Sequence, residues 1–251
     1  MNFAGRTYTG KGIKLAIIDT GIQMDSKQVL GSWDVFLSNT GKIINKLRQS
    51  DLIGRGTQLA QLVFELAPEV ELIGINIFNE QAKTNSDILA AGLALALEKN
   101  VDIICLCVNT SNPEKRTKFE QLEQRCKEKD IVVVVANSQP DVLTYPTAFA
   151  SSIAISTHRL IDSSMDSRIF YCDPKYFPKH RVEKSGSFLL SAHREKHFRG
   201  VEFATARAAA YLACLKEARP ELFAGELKEL LTQKALLPLG AAEKYILDPE
   251  T

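Results

Sequence analysis

The chain has 251 residues, 45% hydrophobic and 24% charged, a balance that suits a globular protein with enough length to bury a full core. Thirty-one basic residues against 30 acidic ones leave a formal charge of +1, which argues against nucleic acid or an anionic membrane as a partner held by bulk charge. No apolar run reaches the ~18 residues of a membrane span, and the N-terminus MNFAGRTYTGKG has no apolar signal core, so a cytoplasmic protein is expected.

In chain order, Ile13 to Ile18 reads as a buried strand and Gly56 to Leu66 as a helix. Val70 to Ile75 is a second strand, followed by a helix from Ser86 to Lys99 that Ser86-Asp87 opens and Asn100 stops. Val101 to Val108 is a third strand, Arg116 to Lys129 a third helix, and Ile131 to Ala136 and Ser152 to Ser156 two further strands. Several of these strands are apolar almost throughout, as strands covered on both faces are. Their alternation with helices implies right-handed β-α-β crossovers and a parallel sheet. Residues 159–199 are polar, aromatic and basic with weak periodicity, and read as loops or an irregular hairpin. Glu202 to Ala218 and Ala224 to Lys234 are closing helices, punctuated by Pro220.

The five cysteines lack the spacing of a disulfide framework or a zinc site and read as small buried hydrophobes. Cys105 and Cys107 are expected on opposite faces of one strand. His193 and His197 have a spacing that would suit a metal on a helix, but they sit in the basic run SAHREKHFR, where a solvated face is expected. No metal or cofactor is expected.

Four blocks carry a resemblance. G-K-G-I-K-L-A-I-I-D-T-G-I, residues 10–22, ends a strand in Asp19, at the place where open parallel sheets collect functional groups. G-R-G-T-Q-L-A-Q-L-V follows at 54–63, V-V-V-V-A-N-S at 132–138 and G-V-E-F-A-T-A-R-A-A-A-Y-L-A-C-L at 200–215. In this order they resemble the aspartate, histidine, oxyanion-asparagine and serine blocks of subtilisin-like serine proteases, the subtilases. The resemblance implies a three-layer α/β/α subtilisin-like fold with a mostly parallel central sheet. It also implies a single domain over residues 1–251, expected without a propeptide. Calcium stabilises many subtilases, but its ligands come from variable loops and none is assigned.

The departures fall on the chemistry. By the resemblance, Asp19 stands at the aspartate position, Arg55 at the histidine position, Glu202 at the serine position and Asn137 at the oxyanion position. Arginine stays protonated above about pH 12 and cannot serve as the base, and glutamate has no hydroxyl to acylate. The family's groove-wall S-L-G-G aligns with Cys107, Val108, Asn109 and Thr110, so two glycines are replaced by residues with side chains. The glycine before the asparagine is Ala136. A shift of register that makes Thr205 the nucleophile would still lack a histidine near Arg55.

Two arrangements of the charges are open: Arg55 bridges Asp19 and Glu202 in one network, or the three point independently to solvent. The expected function is a catalytically inactive pseudoprotease that binds a peptide or protein as a regulatory or scaffold module. It could partner an active protease or a peptide-maturation system. The alternative is an enzyme of altered, non-serine chemistry using Asp19 and Glu202, although arginine should lower their pKa values, the wrong direction for a general acid. Phe170, Tyr171, Tyr176, Phe177, Phe188 and Phe198 among lysines and arginines suggest either an interface or a loop packing its own rings. Nucleic-acid stacking on them is disfavoured by the neutral overall charge.

Overall fold

The computed structural model describes residues 2–3, 6–48, 50–138, 142–157, 170–172, 187–189 and 200–234. Strands β1 (Asn2–Phe3) and β2 (Arg6–Thr7) form a small antiparallel ribbon. The main sheet contains β3 (Lys14–Asp19), β4 (Val29–Leu37), β5 (Ile43–Leu47), β6 (Glu71–Asn76), β7 (Ile103–Leu106), β8 (Val132–Ala136), β9 (Ile153–Ser156), β10 (Phe170–Cys172) and β11 (Ser187–Leu189). Their spatial order is β10-β11-β9-β8-β7-β3-β6-β4-β5. The seven strands from β11 to β4 run parallel, and β10 and β5 are antiparallel edges.

The apolar runs explain the layering. Along β3, Leu15 and Ile17 belong to a core beneath α1 (Arg55–Leu66), α4 (Val201–Ala218) and α5 (Ala224–Lys234). Ala16 and Ile18 point the other way, into a core beneath α2 (Ser86–Glu98) and α3 (Arg116–Glu128). Period-two alternation thus buries both faces of one strand, and the result is the expected three-layer α/β/α arrangement. Helix α2 starts one residue earlier in its capping than the sequence suggests: the Asn85 side chain accepts from the N–H groups of Asp87 and Ile88. Asn100 ends the turn after it with a left-handed φ of 51°.

Two expectations need correction. Cys105 and Cys107 share one face, because residues two apart on a strand point the same way; their sulfurs are 3.9 Å apart in the core under α4. The sequence reading also misses β4 and β5. Strand β4 carries the buried polar residues Ser32 and Asp34, and β5 is exposed at every position, so neither has the pattern of a half-buried strand. Within 159–199, residues 170–172 and 187–189 pair as a hairpin whose second strand extends the sheet beside β9. His158, His180, His193, His197, Tyr176, Phe177 and Phe198 lie outside the described residues.

Candidate active-site groove

The first turn of α1 is fixed before Arg55 is placed. Gly54 caps the helix with no side chain, and Asp51 does the capping from three residues upstream. Its Oδ1 accepts from the Gly54 N–H at 2.7 Å, and its Oδ2 accepts from the Thr57 N–H at 2.8 Å and the Thr57 hydroxyl at 2.7 Å. A carboxylate there satisfies otherwise orphaned N–H groups and complements the helix dipole. The Gly56 N–H donates to the Thr20 hydroxyl at 2.8 Å, which ties the helix to the residue after Asp19. Gly56 must be glycine for space: a Cβ there would run into the Gly21 carbonyl oxygen. Sequence reasoning passed over Asp51, although an acid just before a predicted helix is a capping signal.

This placement sets Arg55 over the end of β3. Its Nε donates to Asp19 Oδ1 at 2.8 Å and its Nη2 to Asp19 Oδ2 at 2.9 Å. Such a bidentate pair is the strong form of the interaction. Asp19 has no exposed surface, whereas the Arg55 side chain is one-third exposed. The guanidinium also lies over the Phe78 ring, 5.2 Å from its centroid. Burial pushes the Asp19 carboxyl above its ordinary range despite the opposing pull of Arg55. The expectation that arginine would set the direction of that shift is therefore wrong: desolvation outweighs it. Arg55 itself stays charged, since burial works against the cation but the hydrogen bonds and charge of Asp19 more than restore it.

Glu202 enters from α4. Gly200 starts that helix with φ 127°, and a Cβ on Gly200 would lie 2.7 Å from Glu202 Oε2, so the glutamate curls back over the glycine. The expected bridge is half formed: Arg55 holds Asp19, and among the described residues no ion pair within 4.0 Å joins it to Glu202. Glu202 acts on the pair only through space, raising the pKa of both partners. Thr205 is fully buried and its hydroxyl donates to the Val201 carbonyl at 2.7 Å, so it is spent within the helix.

Arg55 and Glu202 line one cavity of about 440 Å³ together with Phe78, Cys107, Val108, Asn109, Thr110, Ser111 and Ser138. All four aligned wall residues, Cys107, Val108, Asn109 and Thr110, therefore reach it, while the buried Asp19 is not part of its lining. Asn137 is half-buried at the end of β8, with its N–H on the Ile155 carbonyl at 2.7 Å; its neighbour Ser138 lines the cavity in its place. The wall is partly closed. Asn109 Nδ2 donates to the Ala136 carbonyl at 2.8 Å, and Thr110 exchanges backbone hydrogen bonds with Tyr145 at 3.0 and 2.8 Å. The N–H and C=O of Asn109 have no backbone partner among the described residues. A smaller cavity of about 230 Å³, lined by Asp34, Phe36, Leu52, Ile53 and Asn76 among others, meets the first at Phe78.

The chemistry on offer is polar binding. Among the described residues Cys107 is the one thiol lining the cavity, and its hydrogen bond with Cys105 and its burial push its pKa well up, keeping it neutral. Among the described residues no cluster of three or more His, Cys, Asp or Glu could hold a metal ion, and no helix is long and apolar enough to cross a membrane.

This fold and groove define the class, and sequence comparison names it. The sequence model of the Subtilase family matches residues 10–167, more than half of the chain, and the protein belongs to that family. The Intracellular serine protease of Paenibacillus polymyxa is 24% identical over 267 residues, covering 94% of this chain and 77% of its own length. The Minor extracellular protease Epr of Bacillus subtilis (strain 168) is 23% identical over 93% of this chain, which spans only 36% of Epr. Subtilisin DY of Bacillus licheniformis is 27% identical over 65% of this chain and 61% of its own length. A crystal structure of a cold adapted subtilisin-like serine proteinase superposes with a TM-score of 0.67 at 15% identity, over 90% of this chain and 83% of that one, a likeness of fold.

Proposed function

We propose that this subtilase is a non-catalytic member that binds an extended peptide or protein segment in the groove beside Arg55 and Glu202. The observation that supports this reading is the bidentate Arg55–Asp19 pair at the edge of an open cavity. A guanidinium locked to the buried aspartate cannot accept a nucleophile's proton, and Glu202 offers no hydroxyl. The cavity remains large enough for side chains, and the backbone of Asn109, without a backbone partner among the described residues, is of the kind an extended peptide adds to. Such a module would act in regulation or as a scaffold, alongside an active protease or in peptide maturation. The reading places it in the cytoplasm, where four buried free cysteines suit a reducing compartment. The altered-chemistry alternative has little support: Asp19 is fully buried beneath Arg55, which leaves Glu202 alone to touch a substrate.

The test has two arms. Purified wild-type protein is expected to leave casein and fluorogenic peptides intact and to escape labelling by a fluorophosphonate. A peptide or protein is expected to co-purify from native lysate and to be lost from Arg55→Ala and Glu202→Ala. Hydrolysis blocked by the fluorophosphonate would overturn the non-catalytic reading. A partner retained by both variants would move binding off the groove.

A further inference from the structure

A second surface lies at the far edge of the sheet. Large apolar side chains that are 40% or more exposed concentrate on or beside the β4–β5 hairpin: Phe36, Leu37, Ile43, Ile44 and Leu47, the last 59% exposed. Strand β5 pairs with β4 on one side and is the terminal strand of the sheet. Apolar exposure along an edge that is unpaired among the described residues is a mark of an interaction surface.

Register shows which backbone groups face outward. The Ser38 N–H donates to the Lys42 carbonyl, and the Arg48 N–H donates to the Ser32 carbonyl, each at 2.7 Å. In an antiparallel pair the hydrogen-bonded positions alternate, so Lys42, Ile44, Lys46 and Arg48 direct their backbone groups to β4. Ile43, Asn45 and Leu47 then present their N–H and C=O groups to the open edge. Side chains sort by the same alternation. Lys42, Ile44, Lys46 and Arg48 lie on one face, and Ile43, Asn45 and Leu47 on the other. Residues 38–48 contain three cations and no acidic residue; Arg48 is paired at 3.3 Å with Asp34 of β4, which leaves Lys42 and Lys46 to face a partner.

We propose that β5 is a docking strand for an extended segment of another polypeptide in which carboxylates alternate with apolar residues. Strand addition would supply main-chain hydrogen bonds through Ile43, Asn45 and Leu47. The partner's acids would meet Lys42 and Lys46 on one face, and its apolar residues would cover Ile43 and Leu47 on the other. A second copy fits poorly, because β5 against β5 lines up the lysines of both chains along one edge.

The test is fluorescence polarisation of the full chain with a labelled Glu-Val-Glu-Val-Glu-Val-Glu peptide. Saturable binding that weakens as salt rises is expected, with Glu-Ser and Lys-Val alternating peptides at least about tenfold weaker. Asn45→Pro removes an outward N–H without cutting a hydrogen bond to β4, and should weaken the Glu-Val peptide by about tenfold or more. Lys46→Glu, an exposed change that should leave the fold intact, should shift preference toward the Lys-Val peptide and keeps the test decisive if the proline variant fails to fold. Binding should be unchanged in Arg55→Ala, which separates this surface from the groove. The proposal is overturned by equal binding of the three peptides, by binding unaffected in Lys46→Glu, or by a dimer that competes with the probe. Binding that emerges only after removal of residues 235–251 overturns it too, since the edge would then belong to the chain's own tail.

Discussion

Asp19 and Arg55 form a pair in which the carboxylate is wholly hidden and the guanidinium is one-third open, so the cation shields the acid from the groove. Removing the cation leaves the acid buried without its strongest donors. Arg55→Ala should therefore lose about 1–3 kcal/mol at neutral pH, below the full cost of breaking a deeply buried pair because Arg55 is partly solvated.

The pH dependence of that loss has a defined sign. Asp19 has its pKa raised by burial even with Arg55 present, and it should rise further without it. A carboxyl whose folded pKa exceeds its unfolded value contributes stability that is full below the unfolded value and is lost as pH rises through the folded one. The deficit of Arg55→Ala should thus be larger at about pH 7 than at about pH 4, as denaturant unfolding at both values would measure. An equal deficit at both would mean that Asp19 does not sense Arg55.

Gly56→Ala tests the contact that places Arg55. The added methyl meets the Gly21 backbone, which cannot give way as a flexible side chain could. A loss of about 2 kcal/mol or more is expected in thermal unfolding, with the Arg55–Asp19 pair displaced in a crystal structure of the variant. An unperturbed melting temperature would show that α1 is free to shift.

Restoring family residues asks how much of the groove survives. Arg55→His with Glu202→Ser supplies a base and a nucleophile, but Asn109 still has its side chain fastened to the Ala136 carbonyl along the wall. The double variant should remain without measurable peptide hydrolysis, and adding Asn109→Gly should bring activity above the buffer rate. Activity in the double variant alone would show that Asn109 is no obstacle.

Lys228 provides a prediction far from the groove. Its ammonium, on α5, donates to the carbonyls of Ala150 and Ser152, and burial pushes its pKa down to about 8. An unfolded lysine keeps its proton to about pH 10.4, so the unfolded chain binds more protons across this window and stability gains as pH rises through it. Relative to Lys228→Met, wild type should gain about 1–2 kcal/mol over that range, after discounting for partial exposure. Comparing the two proteins cancels Cys126, whose thiol burial pushes up to about 12 and which acts in the opposite sense. Parallel profiles would refute the shift.

Legibility in the sequence followed the physics of burial. Strands such as Val132–Ala136 sit under helices on both faces, and their unbroken apolar runs declare them. Strand β4 hides Ser32 and Asp34, whose side-chain oxygens accept from the Ile22 N–H and the Asn76 amide, donors outside the strand itself. No local pattern announces such partners. The positions of Asp19, Arg55 and Glu202 were readable through the resemblance of their blocks to the subtilase motifs. Whether Arg55 reaches both acids was not, since it turns on the direction of the Glu202 side chain, which curls back over Gly200. The misplacement of Cys105 and Cys107 was a misuse of the strand period rather than a limit of the sequence.

The buried thiols give the fold its own reporters of motion. Cys105 and Cys107 lie beneath α4, and Cys214 of that helix is packed against the carbonyls of Tyr8 and Leu66. Cys105 and Cys214 have no exposed surface, so a thiol reagent can reach them only while the helix lifts from the sheet, and their labelling rate, set against that of Cys107 at the groove, would count those openings. Because α4 also carries Glu202, the same clock would time how often the wall of the groove comes apart.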